Sequence, residues 1–509
     1  MKNIFLAVAA LAAFASFADG LDLNGSWLFR FEEGKILEQV GSDFAATDVM
    51  TVPGCWDVQP KWYLKRGTGC YRRTFTVQTP MKDAVLVVDG MGIRAKFALD
   101  GRDLGLHPYP YARLEIPVGP LAAGEHELFA AVDNIMEWPR VKLARPYYDF
   151  YFYGGFYHGM KLIEKEPNLT TIVVDGRTVR FGIRQLEARD GKIFLNGRPI
   201  FLKGVNRHES SPFEGSATGE ATMLRDLQNL KALGGNFIRA AHYQQAERFL
   251  DLCDELGIFV WEESLGWGNG QDYVNNKFPP SELTDPEFCE MQVVETREMV
   301  RASFNHPSVI IQAFLNECNS AKPECKKLVD RLIETIKAER SGRLVSFACN
   351  VCWADICHEN TDVVAFNAYP GTIPATPGTP AALRQKVEKE FNGIVKKFRE
   401  KYPNKPIIIS ESGCGGTYGY RDENASINTE EYQNEYLTDI FETLWANPNV
   451  SGFSIWQMND GRTRERYCDL NCSAMFGGSV AGIYDIYRRP KKSVATVKHF
   501  FGLKAAGEN

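Results

Sequence analysis

Beyond about Phe181 the chain alternates short, uninterrupted apolar runs with amphipathic stretches, and this alternation leaves few folds open. The runs cover residues 199–206, 237–239, 258–261, 309–317, 344–348, 363–366, 407–410 and 452–456. A continuous apolar run reads as a strand buried on both faces, as parallel sheets require. Between the runs, Met223, Leu227 and Leu230 mark one face of a helix, and further helices are expected around 247–256 and 291–304. Leu383, Val387, Phe391, Ile394 and Phe398 recur at helical spacing. Eight strands with interposed helices predict a (β/α)8 TIM barrel across residues 185–509.

The preceding part reads differently. Alternating strands at 84–88, at 95–99 before Asp100-Gly101, and at 127–132 before Asp133-Asn134 follow one another without helices. That pattern predicts an antiparallel β-sandwich over residues 19–166, joined to the barrel by a short linker at 167–184. A chain of 509 residues with 44% hydrophobic composition has room for both cores. Its net charge of -6 offers no basic field for a polyanion, so nucleic acid is not an expected partner.

Residues 1–18 read as a signal peptide: Lys2, an apolar stretch from Ile4 to Phe14, and a small-residue cleavage signal at Ser16-Phe17-Ala18. The mature protein is expected to be exported, periplasmic or extracellular. No later apolar run approaches the ~20 residues needed to span a bilayer, so no membrane insertion is expected. Twelve cysteines are too sparse for a disulfide scaffold. Cys349 and Cys352 have the spacing of half a zinc site, but no second pair accompanies them, and buried thiols are the expected reading. Cys468 and Cys472 could pair or pack.

Two glutamates carry the chemistry. Glu317 closes the fourth run and Glu411 the seventh, so both face the cavity at the carboxyl end of the barrel. Glycoside hydrolysis needs such a pair, one carboxyl as acid and one carboxylate as nucleophile. The apolar strand beside Glu317 would raise its pKa, and the small-residue turn Ser412-Gly413-Cys414-Gly415-Gly416 could supply donors that keep Glu411 charged. Glu262, Glu263 and Asp460 are competing carboxylates at strand ends.

Several segments resemble glycoside hydrolase family 2, which contains β-galactosidases, β-glucuronidases and β-mannosidases. Asn236-Phe237-Ile238-Arg239-Ala240-Ala241-His242-Tyr243, followed by Asp254 and by Gly257 to Trp261, is similar to its first signature, with Gln244 in place of proline. Phe304-Asn305-His306-Pro307 leading to Asn316-Glu317 resembles the second, with Gln312 in place of tryptophan. Phe201 to Glu209 and Pro406 to Glu411 resemble the first barrel strand and the nucleophile strand. Leu23 to Trp27, Val52 to Trp56 and Gly154 to Tyr157 resemble the amino-terminal jelly roll.

The resemblance implies a retaining exo-β-glycosidase with Glu317 as acid/base, Glu411 as nucleophile and Tyr369 orienting the nucleophile. It places Asp149, Arg239, His242, Asn316, Trp456, Asp460 and Arg462 around the sugar. The family's immunoglobulin-like middle domain has no room between Glu166 and Phe181 and is expected to be absent. Nearest is the glucuronidase branch, yet Ser479 and Ala481 stand where that branch has an Asn-x-Lys pair for the sugar carboxylate. An uncompensated buried carboxylate is costly, which favours a neutral sugar, first a β-galactoside. The alternative is a β-glucuronidase or other uronidase in which Arg462, Arg464 or Arg466 supplies the cation. A catalytically degenerate carbohydrate-binding protein is the reading of another class. No cofactor is required and no metal ligand set is assigned, although the resemblance allows a structural ion. Oligomeric state is left open.

Overall fold

The structure is a computed structural model and describes residues 20–137, 140–164, 184–272, 281–371, 380–463, 474–475 and 478–508. The expected signal peptide, most of the 167–184 linker, Arg464, Arg466, Cys468 and Cys472 lie outside the described residues. The chain divides into two compact units.

The first unit draws on Met1–Glu137, Tyr153–Phe181 and Gly215–Ala217. Its six-stranded antiparallel sheet runs, in spatial order, Asp48–Val52, Gly25–Glu33, Gly67–Val77, Gly124–Asp133, Arg94–Leu99 and Arg102–His107. A four-stranded sheet is formed by Leu21–Asp22, Met160–Glu164, Met81–Asp89 and Arg113–Leu121. Trp27, Tyr71 and Phe97 from the first sheet share one apolar cluster with Leu86, Ile116 and Leu162 from the second, which makes the pair a sandwich. All three runs expected as strands lie inside these elements. At Asp100-Gly101 both residues have positive φ (51° and 77°), as a two-residue hairpin turn demands. Gly154 is required by close approach, since a Cβ there would sit 2.0 Å from the Trp56 ring.

The second unit comprises Trp138–Phe152, Gly182–Glu214 and Thr218–Asn509. Its parallel strands are β1 (Leu202–Arg207), β2 (Phe237–Ala240), β3 (Phe259–Glu263), β4 (Val309–Ala313), β5, β6 (Val364–Asn367), β7 (Ile407–Ser412) and β8 (Gly452–Ile455). β5 is broken at Phe347 into Leu344–Ser346, which pairs with β4, and Ala348–Cys349, which pairs with β6. Because β8 also pairs with β1, the ring closes through this split strand. Every residue of β1, β2, β4 and β6–β8 is buried, as the uninterrupted apolar runs predict.

The helices are α1 (Glu220–Leu233), α2 (Glu247–Leu256), α3 (Pro286–Ala302), α4 (Pro323–Ala338), α5 (Pro380–Lys401), α6 (Glu430–Trp445) and α7 (Ser493–Gly502). α1 buries Met223, Leu227 and Leu230, and α5 buries Val387, Phe391, Ile394 and Phe398. α3 starts where Asp285 caps the amides of Glu287 and Phe288 and Pro286 takes the first turn.

Three details depart from the sequence reading. Residues 199–200 do not begin β1. They end a small antiparallel sheet of Leu186–Arg189, Lys192–Leu195 and Arg198–Ile200, whose Ile193 packs with Leu202, Phe237 and Ile310. No helix joins β5 to β6: residues 350–363 form turns around a buried Asp355–His358 pair, with Cys352 and Cys357 also buried. Finally, β4 ends at Ala313, short of Glu317.

Candidate active site

Glu411 owes its position to an irregularity in β7. Phe366 pairs with Ile409 but Asn367 pairs with Glu411, so Ser410 is an extra residue on this side, and the pairing with β8 shifts between Ile409 and Ser412 as well. Such bulges re-aim side chains. Glu317 is placed by a loop instead of a strand end. It has φ 54°, Leu315 has φ 47°, and the Glu317 amide donates to the Ala348 carbonyl of β5 at 2.8 Å. Left-handed backbone at non-glycine residues is strained and gathers at functional sites.

Side chains from six strands converge on this pair. Arg239 of β2 is the hub: it donates to Glu411 Oε1 (2.5 Å), Glu263 Oε1 (2.7 Å), Asn206 Oδ1 (2.8 Å) and Asn316 Oδ1 (2.9 Å). Asn206 is oriented by donating to the carbonyls of Ser410, Ser454 and Ile455. The other carboxylate oxygen of Glu411 accepts from the Tyr369 hydroxyl at 2.6 Å. Side chains, and not the small-residue turn, therefore supply the described donors to Glu411. The glycine of that turn has another purpose, because a Cβ on Gly413 would lie 1.9 Å from the Trp456 carbonyl oxygen.

Asn367 of β6 links the two halves of the site. Its Nδ2 donates to Glu317 Oε1 (2.9 Å) and Asn316 Oδ1 (3.1 Å), while its Oδ1 accepts from Ser410 Oγ (2.7 Å). With Asn316 Oδ1 taken by two donors, its amide nitrogen turns to His242 Nε2 at 3.5 Å. That nitrogen must then be the acceptor, which leaves Nδ1–H to donate to Glu263 Oε2 at 3.2 Å. Burial holds the His242 pKa down to about 3, so the ring is neutral. Tyr369 is raised well above its usual value by burial and by Glu411, so it stays a donor.

The two glutamates are in unlike states. Burial first, and the negative charge of Glu411 second, push the Glu317 pKa up to about 8, with Asp149 adding to the effect and the Asn367 amide opposing it. Glu317 is thus a carboxylic acid at neutral pH, while both oxygens of Glu411 face donors in the pattern of a carboxylate.

The segment carrying Asp149 groups with the barrel unit. Asp149 acts on Glu317 electrostatically, Phe150 packs on His242 (6.0 Å), His208 (5.3 Å) and Tyr243 (5.3 Å), and Tyr151 lies under the Arg462 guanidinium at 5.1 Å. Trp456, just past β8, is stacked on His242 at 5.3 Å and 15°, with His208 edge-on to it at 5.3 Å. Its ring stays partly exposed.

Asp460 is committed elsewhere, pairing with buried Lys491 (2.7 Å) and accepting from the Gly482 amide (2.9 Å). Burial lifts its pKa to about 7 against the pull of Lys491. Ser479 Oγ accepts from Gln457 Nε2 at 3.0 Å. Arg462 sits on a two-residue strand, Gly461–Arg462, antiparallel to Gly478–Ser479. Glu262 points away from the cavity and is buried, which raises its pKa to about 7. Cys349, Asp355 and His358 lie close together, but both His358 nitrogens already have partners, Asp355 (3.0 Å) on one side and the Ala365 amide (3.2 Å) and Phe347 carbonyl (3.3 Å) on the other.

The structure therefore brings Glu317, Glu411, Tyr369, Arg239, His242 and Asn316 into one bonded network, with Asp149 and Trp456 against it. Asn206, Asn367, Glu263 and His208 join it without having been singled out as site residues. Strand alternation signals Glu263, since Trp261 and Glu263 must share a face of β3, and Trp261 Nε1 indeed donates to Glu263 at 2.7 Å.

The chain is 29% identical to mouse beta-glucuronidase over 337 residues, covering 66% of this chain and 49% of that protein. It is 27% identical to the beta-glucuronidase of Streptococcus agalactiae, over 62% of this chain and 53% of that protein. It thus spans about half the length of the curated relatives it matches. Among solved structures, a beta-galacturonidase from Eisenbergiella tayi bound to galacturonate superposes with a TM-score of 0.82 at 26% identity, covering 96% of this chain and 98% of that one. Residues 186–504 match the TIM barrel domain of the glycosyl hydrolases of family 2, and the chain belongs to that family.

Proposed function

We propose that the protein is a retaining exo-β-glycosidase whose substrate carries a terminal uronic acid. The arrangement that carries the mechanism is the contrast between the two glutamates: one is buried with its pKa pushed up to about 8, and the other accepts hydrogen bonds from Arg239 and Tyr369 on its two oxygens. Glu411 attacks the anomeric carbon while Glu317 gives its proton to the departing oxygen. Once Glu411 is esterified its charge is gone, and with it the second cause of the raised Glu317 pKa. Glu317, having given its proton to the leaving group, can then stay ionised and serve as the base for the water that releases the sugar. Trp456 offers an aromatic face to the C–H side of the ring.

The names of the curated relatives, and the galacturonidase among the structural neighbours, support a uronic acid over a neutral sugar. Arg239 is already shared between Glu263 and Glu411, so a substrate carboxylate needs a cation of its own. Arg462, over Tyr151 and beside the segment that carries Asp149, is the described candidate. A neutral sugar such as β-galactose remains the second reading, favoured by Ser479 and Ala481, which offer no charge. Nitrophenyl β-glucuronide, β-galacturonide, β-galactoside and β-mannoside assayed side by side separate the two. Trapping with the matching 2-fluoro sugar should label Glu411, and a label on another residue would remove the mechanism.

A further inference from the structure

Three loops at the carboxyl ends of the barrel strands each place one residue in the catalytic network and, further along, an exposed aromatic ring. The loop after β1 carries His208 and then Phe213, β7 and its loop carry Glu411 and then Tyr418, and the loop after β8 carries Trp456 and then Tyr487. The rings form a strip. Phe213 lies 5.9 Å from Tyr487, and the Arg489 guanidinium lies 5.4 Å from Tyr487 and 4.1 Å from Tyr418. Phe213 is 72% exposed, Tyr487 49% and Tyr418 41%. Single exposed apolar residues need no explanation, but a contiguous set drawn from three loops at the catalytic end of a barrel does.

The strip is held in place from below. Buried Asp485 accepts from the amides of Tyr487 (3.0 Å) and Arg489 (2.7 Å) and from Arg489 Nε (2.6 Å). Arg488 donates to the Ser210 carbonyl (2.8 Å) and to Asp226, which ties the loop of Tyr487 to the loop of Phe213. The amide of Gly416, just before Tyr418, donates to the Val480 carbonyl at 2.9 Å. Asp485 pairs with Arg489, so among the described residues the strip presents aromatic faces whose one cation is already matched by a carboxylate.

We propose that this strip binds the outer part of the leaving-group side of the substrate, specifically neutral pyranose units beyond the first one released. Aromatic faces suit the apolar C–H faces of such rings, and the segments that carry the strip begin at His208, Glu411 and Trp456. The inference rests on the glycosidase reading above and adds a preference for longer glycans.

The test uses a disaccharide in which the terminal β-linked sugar preferred in the nitrophenyl assays is joined to glucose, and the tetrasaccharide that extends it by two β-1,4-linked glucose units. The wild-type protein should hydrolyse the tetrasaccharide with a kcat/KM higher by about tenfold, carried by KM, at roughly threefold for each of the two added rings. In Tyr418→Ala/Tyr487→Ala that ratio should fall close to one while kcat/KM for the nitrophenyl glycoside stays unchanged. A wild-type ratio near one, a ratio that survives the double substitution, or an equal loss on all three substrates would each overturn the proposal. So would a wild-type dimer that the double variant dissolves in sedimentation with the ratio intact, since the strip would then bind a second copy. Absence of turnover on every nitrophenyl glycoside would instead sink the proposed function.

Discussion

The Tyr369 hydroxyl lies 2.6 Å from Glu411 Oε2, opposite the oxygen that Arg239 holds. A hydrogen bond to a charged group contributes about 1.5–3 kcal/mol, and this one fixes the Glu411 carboxyl in the orientation from which it attacks. Tyr369→Phe should therefore lower kcat by about ten- to a hundredfold, with folding unchanged by circular dichroism.

Glu411→Gln removes the nucleophile and leaves its volume. Turnover of the best nitrophenyl glycoside should collapse by several orders of magnitude, with sugar affinity measured by calorimetry largely retained. A wild-type protein with no turnover to lose would favour the carbohydrate-binding reading.

Glu317 sets the pH dependence. Folded, it keeps its proton up to about pH 8, whereas its ordinary value is 4.5. Between these values the folded protein holds a proton that the unfolded chain has released, so stability from this group falls as pH rises through the window and is lost above pH 8. Glu317→Gln should remove that decline, so its melting temperature should gain on the wild type between pH 5 and pH 8. The same substitution should lower kcat by about 10²–10⁴, and wild-type kcat/KM should fall on the alkaline side of about pH 8.

Arg462→Met tests the carboxylate reader. It keeps much of the length of the apolar stem and deletes the charge that lies over Tyr151. KM for the glucuronide or galacturonide should rise by about tenfold or more, as loss of a charge-assisted hydrogen bond predicts, with the galactoside unaffected. Equal effects on both would assign Arg462 to packing.

Gly413→Ala should damage activity through the backbone. Its Cβ would meet the Trp456 carbonyl oxygen at 1.9 Å, so either β7 or the end of β8 must shift. A loss of about 1–3 kcal/mol in stability by denaturant unfolding is expected, together with a fall in kcat/KM.

Much of this was readable in advance because burial on both faces writes itself into sequence as unbroken apolar runs. The eight strands, the one-face helices α1 and α5 and the end of the barrel at which Glu317 and Glu411 lie all follow from that signal, whereas a loop and a bulge set where the two side chains point. What escaped depends on relations that no local pattern carries. The bulge at Ser410 looks like any strand residue until its neighbours are known. Asn206 and Asn367 matter through carbonyls, amides and side chains brought from other strands. The resemblance places Asp460 around the sugar, but Lys491, far along the chain, pairs with it.

Asp226 in α1 accepts from Asn459 at 3.0 Å and from Arg488 at 3.2 Å, besides Arg207 at 3.0 Å, and these guanidinium groups lower its pKa despite complete burial. One carboxylate thus clamps both ends of the long excursion that follows β8. A substitution at Gly461 or Arg462, between the two clamped points, leaves the tie to α1 in place, so a change of sugar preference can arise there without rebuilding the machinery that breaks the bond.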